Sequence, residues 1–226
     1  MHFLITAGPT REYIDPVRFI SNASSGRMGY ALAAAAVQAG HTVKLITSVE
    51  NSKPCPEHGR RVKTQHSKLL KVVKVKTADQ MFQAVKKHFK QCDCLIMTAA
   101  VADYTPVKIS KTKIKKGKLK INLELEPTVD ILKWAGDEKL KTQNSKLKKI
   151  LVGFALEDKN LRANAEKKLA EKNLDMIVAN SPTAIGADKA RVDIKIKGQD
   201  WQKIPKANKA RLAGRIIRLV EKMAVS

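Results

Sequence analysis

Short apolar runs recur along the chain, separated by stretches in which apolar positions repeat at helical spacing. Phe3 to Ile5 reads as a buried strand that Gly8-Pro9 breaks, and alanine-rich Tyr30 to Ala39 reads as a helix stopped at Gly40. Val43 to Thr47, Val72 to Val75 and Cys94 to Thr98 read as further strands, with an amphipathic helix from Ala78 to Phe89 between the last two. A helix from Val129 to Trp134 follows Pro127, then a strand from Ile150 to Phe154, then a helix from Asn160 to Lys172 with the stripe Leu161, Ala165 and Leu169. Met176 to Ala179 is the last buried strand expected. Val192 to Ile196 and Gln202 to Ile204 flank a turn-like Gly198-Gln199-Asp200 and predict a short edge hairpin. Asn208 to Met223 predicts a basic amphipathic helix whose Leu212, Ile216 and Leu219 pack on the sheet in preference to a membrane.

The alternation predicts one α/β domain over residues 1–226, a Rossmann-like, mostly parallel sheet with flanking helices. Two segments break the pattern. Ser48 to His66, with its prolines and polar residues, is expected to be a long loop. Across about 105–126, Lys108, Lys111, Lys113, Lys115, Lys116, Lys118 and Lys120 crowd a stretch too charged for a core, and a solvated loop is the plain reading for most of them. The alternating runs Val107 to Ile109 and Leu119 to Leu125 flank it and predict a lysine-rich β-flap. One face of such an arm is apolar and needs cover, for which the same arm of a second copy is the natural partner.

The opening segment carries the strongest chemical signal. Ser24-Ser25 is expected to cap a helix whose first turn bears Gly26 and Gly29, and helix-start amides and small hydroxyls attract phosphate oxygens. A dinucleotide fingerprint sets its glycines directly after the strand, whereas a loop holding Arg11, Asp15, Arg18 and Asn22 separates Gly8 from Gly26. That spacing, and Thr47-Ser48 where a strand-end acid would stand, disfavours NAD. In an open α/β sheet ligands sit outside the carboxyl ends of the strands, so Gly8, Ala99-Ala100, Gly153-Phe154 and Asn180 should converge on one crevice.

Ala7-Gly-Pro-Thr-Arg-Glu12, Asp15-Pro-Val-Arg18, Ser21-Asn-Ala-Ser-Ser-Gly-Arg-Met-Gly29, Ala99-Ala-Val-Ala-Asp-Tyr104, Lys113-Ile-Lys-Lys116, Val152-Gly-Phe-Ala-Leu-Glu157 and Lys172-Asn-Leu-Asp-Met-Ile-Val-Ala-Asn180 occur in one consistent order across most of the chain. This set resembles phosphopantothenoylcysteine synthetase, the ligase of coenzyme A biosynthesis, in its bacterial, CTP-using form. The resemblance implies that 4'-phosphopantothenate and L-cysteine are joined through an acyl-cytidylate, with CTP as co-substrate and Mg2+ carried by the triphosphate. It also implies a homodimer in which the flap contributes to interface and site. Residue spacing by itself would admit ATP, and a different nucleotide-dependent ligase or a nucleotide-binding reductase on the same sheet stays open. In many bacteria the family's domain follows a flavin-dependent decarboxylase. Here a phosphopantothenoylcysteine decarboxylase partner is expected as a separate chain, unless the sequence is an excised piece.

By this resemblance Gly8, Ser24, Ser25, Gly26, Gly29, Ala99, Ala100, Asp103, Lys113, Phe154, Lys168 and Lys172 are expected at the nucleotide, and Arg18, Asn22, Ala100 and Asn180 at the acyl substrate. Asp103 would accept ribose hydroxyls; standing alone it reads as a loop acid. Lys113 matches the flap position that contacts triphosphate, where a cation offsets charge building on departing oxygens, and Lys116 would assist. Lys168 and Lys172 match further basic positions, although two surface lysines four apart on a helix is an equal reading. Asn22 suits the amide-forming half-reaction, because a neutral amide binds the acyl oxygen or phosphopantothenate where a carboxylate would repel it. Arg18 suits the substrate phosphate or carboxylate, in competition with a structural pairing to Asp15.

The formal charge of +23 raises a basic nucleic-acid-binding module as the non-enzymatic alternative. Dispersal of the lysines and an aromatic content of 4% lower it, and no specific nucleic acid is expected as partner. A dispersed positive field also raises the encounter rate of anionic substrates. Cys55, Cys92 and Cys94 lack a second pair for zinc, and His2, His41, His58, His66 and His88 show no ligand spacing, so no protein metal site is expected. Without an acidic cluster or an apolar run near the roughly 18 residues of a membrane span, the reading is of a cytoplasmic protein with reduced thiols.

Overall fold

Strand β1 (His2–Ala7) is buried on both faces, with Phe3, Ile5 and Ala7 in one apolar layer and Leu4 in the other. Such a strand belongs at the centre of a parallel sheet covered by helices on each side. The computed structural model, which describes residues 1–49, 68–117, 120–141, 149–184 and 187–225, builds the domain around it. The chain next forms a small antiparallel ladder of β2 (Arg11–Tyr13) and β3 (Phe19–Ser21), which the polar sequence concealed, and then enters α1 (Arg27–Gln38). There follow β4 (Thr42–Thr47), β5 (Leu70–Lys74), α2 (Ala78–Phe89), β6 (Cys94–Met97), β7 (Tyr104–Pro106) and β8 (Leu125–Pro127). Last come α3 (Ile131–Lys141), β9 (Ile150–Leu156), α4 (Leu161–Glu171), β10 (Met176–Asn180), β11 (Lys189–Ile196), β12 (Gln202–Asn208) and α5 (Lys209–Val225).

Among the described residues the main sheet has eight strands in the order β12-β11-β10-β9-β6-β1-β4-β5. All neighbouring pairs from β5 to β10 are parallel, and β11 and β12 add antiparallel strands at one edge. The expected Rossmann-like sheet is thus present. Winding reverses between β1 and β6, and at such a switch point the carboxyl ends of the strands open a crevice. α1 and α5 seal one face and α2, α3 and α4 the other. Each wholly buried Leu or Ile of these layers, such as Ile5 or Leu95, contributes about 1.5–3 kcal/mol through removal from water. α5 buries Leu212 and Ile216 and half-buries Leu219, so its apolar stripe is spent on the core. No helix among the described residues is long and apolar enough to cross a membrane.

Several expectations need correction. Ser24 and Ser25 do not cap α1: Gly26 is the N-cap, in a left-handed conformation (φ 71°) and with no side-chain cap. The flap's ladder begins earlier on its first run than expected and is short among the described residues. β7 pairs β8, and one more rung, the Val107 N–H to the Glu124 carbonyl at 3.1 Å, ends it. Beyond that rung the Ser110 N–H turns to the Ile14 carbonyl at 2.9 Å, so the flap backbone takes its partners from the β2–β3 segment. β11 and β12 are longer than expected, and β11 is not a marginal edge, since Val192, Asp193 and Ile194 are buried. Cys92 and Cys94 are free and buried, and burial pushes the Cys92 thiol up to about 11, which keeps it protonated at neutral pH. Cys55, His58, His66, Lys118 and residues 50–66 of the expected long loop lie outside the described residues.

Gly29, in the first turn of α1, fixes how close this helix lies to the sheet. A Cβ there would stand 2.5 Å from the Ala7 Cβ and 2.7 Å from the Thr98 Oγ1. Gly29→Ala is therefore expected to cost about 1–3 kcal/mol by overpacking, read as a lowered urea midpoint at unchanged slope.

Candidate active-site cleft

Gly8 (φ 87°) and Gly26 (φ 71°) both need the left-handed region, and a Cβ on Gly26 would come within 3.1 Å of the Gly8 Cα and N. With Gly29 they give a tight turn, a close approach of backbone to backbone and close helix–sheet packing, with residues 9–25 inserted after the first. This excursion is stitched to the end of β6. The Ala100 N–H donates to Gly8 O at 3.1 Å, Thr10 N–H to Ala100 O at 3.2 Å, and Ala102 N–H to the buried Thr10 Oγ1 at 2.9 Å. Asn22 completes the seam, its Nδ2 donating to the carbonyls of Ala100 and Val101 at 3.2 Å each.

The tip of the excursion holds the flap. Asp15 is buried, and its Oδ1 accepts the amides of Val17 and Arg18 at 2.8 Å each while Oδ2 accepts the Ile114 amide at 3.1 Å. Arg18 pairs with Asp15 at 3.1 Å and donates from its second terminal nitrogen to the Ile114 carbonyl at 2.7 Å. Burial alone would raise the Asp15 pKa, but the amides of Val17, Ile114 and Arg18 and the Arg18 charge outweigh it and hold the carboxyl below 3.8. Both backbone groups of Ile114, next to Lys113, are therefore held by one ion pair.

The crevice at the switch point is a cleft of about 540 Å³. Its floor is Ala99 and Ala100, and the amino end of α1 opens onto it with helix-start amides that have no intrahelical acceptor. On the opposite wall Lys172 pairs with Asp130 at 2.6 Å, and Lys168 Nζ donates to Phe154 O at 3.2 Å. Asp130 also caps α3 by accepting the Lys133 amide at 3.0 Å. Its burial is outweighed by the Lys172 hydrogen bond, the Lys133 amide and the charges of Lys172 and Lys168, so it stays ionised below the usual carboxylate range. Burial, and then the neighbouring Lys172, push the Lys168 pKa below that of an ordinary lysine, against the pull of Glu157, Asp130 and Asp103. Cationic side chains and a helix amino end lining one space make it electrostatically complementary to a multiply charged anion. No group of three His, Cys, Asp or Glu suited to a metal ion is found among the described residues.

Residues 1–223 match the family described as DNA/pantothenate metabolism flavoprotein C-terminal domain. The chain belongs to that family. It is 47% identical over 186 residues to the coenzyme A biosynthesis bifunctional protein CoaBC of Bacillus subtilis (strain 168), covering 82% of this chain and 41% of the relative. It is 42% identical over 220 residues to a cysteine/cysteine sulfinic acid decarboxylase of an unknown prokaryotic organism, covering 96% of this chain and 56% of the relative. The chain thus spans about half the length of these curated relatives. Among solved structures, the C-terminal domain of CoaBC superposes with a TM-score of 0.75 at 39% identity, over 98% of this chain and 94% of that domain.

The family's motif positions gather unevenly. Asn22, Ser24, Ser25, Gly26, Gly29, Ala99, Ala100, Asp103, Phe154, Lys168, Lys172 and Asn180 line the cleft, while Gly8 lies beneath it in contact with Gly26. Arg18 is in the Asp15 staple, and exposed Lys113 is outside the lining. Ala100 was expected at both the nucleotide and the acyl substrate. Its N–H is bound to Gly8 and its carbonyl already accepts from Thr10 and Asn22, so it serves as the seam. Sequence reasoning missed Asp130 and Thr128, both in the lining. Asp130 carried a usable signal, a helix-capping acid just before the apolar Ile131-Leu132. Asp15→Asn should release the flap, read as faster trypsin cleavage at its lysines at neutral pH with an unchanged unfolding midpoint for the sheet. In the native protein the low Asp15 pKa keeps the staple above pH 3.8, and it is lost as pH falls through the still lower folded value.

Proposed function

We propose that this chain is a ligase that joins 4'-phosphopantothenate to L-cysteine, with CTP as co-substrate and Mg2+ carried by the triphosphate. The observation that carries this reading is the convergence of twelve of the fifteen expected site residues on one cleft at the switch point, together with 39% identity to the C-terminal domain of CoaBC across 94% of that domain. An activated acyl group needs a triphosphate held at its charged end and an uncharged side chain beside the reacting carbonyl. Lys168, Lys172 and the α1 amides suit the first requirement, and Asn22 the second.

In this mechanism the pantothenate carboxylate attacks the α-phosphorus and pyrophosphate departs, leaving an acyl-cytidylate. The cysteine amine then attacks the acyl carbon, the acyl–oxygen bond breaks, and CMP leaves as the amine loses a proton. Lys113, brought in by the stapled flap, offsets charge on the departing pyrophosphate. A homodimer fits the exposed apolar side chains that rim excursion and flap, among them Val17, Phe19, Tyr104, Ile109, Ile121 and Leu123. Because Lys113 stands outside the cleft lining of its own chain, the flap's contribution to the site is assigned to the paired state.

The test is to incubate the protein with CTP or ATP, 4'-phosphopantothenate, cysteine and magnesium in every combination and to measure pyrophosphate. Release is expected with CTP and phosphopantothenate before cysteine is added. Lys113→Gln should suppress that release, whereas Asn22→Asp should leave activation partly intact and slow amide formation; normal turnover by both variants would sink the assignment. The depressed Lys168 pKa gives a pH signature. Its charge is lost at lower pH than that of an ordinary lysine (10.5), so KM for the nucleotide should begin to rise earlier on the alkaline side. Lys168→Arg, charged throughout, should remove that early limb.

A further inference from the structure

A second cavity, of about 430 Å³, lies at the opposite end of the sheet, where β1 and β4 begin and α2 ends. Its walls carry Lys44, Lys68, Lys71, His2, His88 and Gln91, and apolar Leu4 and Val43 line it between them. Lys44 and Lys71 are register partners on the parallel strands β4 and β5, so their ammonium groups leave one face of the sheet side by side. Like charges in that relation are destabilising. Lys44 Nζ meets His88 Nδ1 at 2.9 Å, a contact in which the ammonium donates and the imidazole must be neutral to accept. Burial, then the charges of Lys44 and Lys87, hold the His88 pKa below 6.5, in keeping with that role. Among the described residues no carboxylate forms an ion pair with Lys44, Lys71 or His88. Asp93, at the same end, accepts the His2 backbone N–H at 2.7 Å.

We propose that this cavity is a second anion site, remote from the cleft, that takes a dianionic phosphate group between Lys44, Lys71 and His88. The cluster lacks what a phosphate supplies, negative charge and several acceptor oxygens. On binding, the Lys44–His88 contact is exchanged for separate contacts from each to the anion. His88 takes a proton from solvent, since both its nitrogens can then donate, and anion binding is coupled to uptake of up to one proton. The apolar walls suit a phosphate monoester with an organic portion as well as the free ion.

The experiment follows the histidine ring signals by NMR, with His88 assigned through His88→Gln, at constant ionic strength set with KCl. Sulfate is the first probe because it stays dianionic across the imidazole range. The His88 pKa should rise saturably with sulfate, while His41, outside the cavity lining, should not respond. Lys71→Gln, on an exposed edge strand, and Lys44→Met should each weaken the response about tenfold or more. Phenyl phosphate binding tighter than inorganic phosphate assigns a monoester, and equal affinity assigns the free ion. A His88 response that is not saturable, or that survives unchanged in both lysine variants, overturns the site.

Discussion

The approach of Gly26 to Gly8 roots residues 9–25 on the first turn of α1, and most of the cleft's geometry follows from it. With no Cβ between them the two backbones touch, so a long excursion leaves the end of β1 and returns to nearly the same point. α1 can then press against β1 through Gly29, which aims its amino end at the switch point between β1 and β6. A side chain at either end would prise the loop from the sheet. The seam to Ala100 would go with it, since the Gly8 carbonyl and the Thr10 amide both terminate there.

Electrostatic balance differs from place to place in a chain of net charge +23. At the flap, one buried carboxylate is enclosed by amides and a guanidinium, so its charge is fully met and the structure is held rigidly. In the cleft the balance is partial: Asp130 answers Lys172, but Lys168 is held by a carbonyl and stays short of its usual basicity. A desolvated cation beside another is costly, and a polyphosphate placed against them would remove that cost. Pre-positioned cations of this kind favour a highly charged ligand over a neutral one, which agrees with a triphosphate as the proposed co-substrate.

Periodicity made most of the sheet legible because both-face burial writes itself as uninterrupted apolar runs, as in Leu95-Ile96 and Ile177-Val178. The crevice was legible for the same reason, since strand ends locate it. What could not be read were structures held by long-range polar contacts. β2 and β3 are three residues each with mixed burial, and their place depends on Thr10 and Ser21 meeting, at 2.7 Å, across the excursion. The flap misled because alternation in Val107 to Ile109 resembles a strand, while the Ser110 amide and the Ile114 amide and carbonyl are claimed by the excursion. Ser24-Ser25 looked like a cap because sequence alone does not reveal that the helix begins at a left-handed glycine.

Asn22 and Asp15, on the same excursion, show why its composition is as constrained as its length. Asn22 faces two carbonyl oxygens and must donate, so the amide is fixed and a carboxylate there would set like partial charges against each other. Asp15 faces three amides and a guanidinium and must accept on both oxygens, which an amide cannot do. The neutral residue thus sits at the cleft, where anionic substrates are proposed to meet, and the charged one is sequestered at the flap, where its field is cancelled by Arg18. Exchanging the two would leave the overall charge unchanged and lose both functions, so the division of labour lies in which backbone groups the loop presents to each side chain.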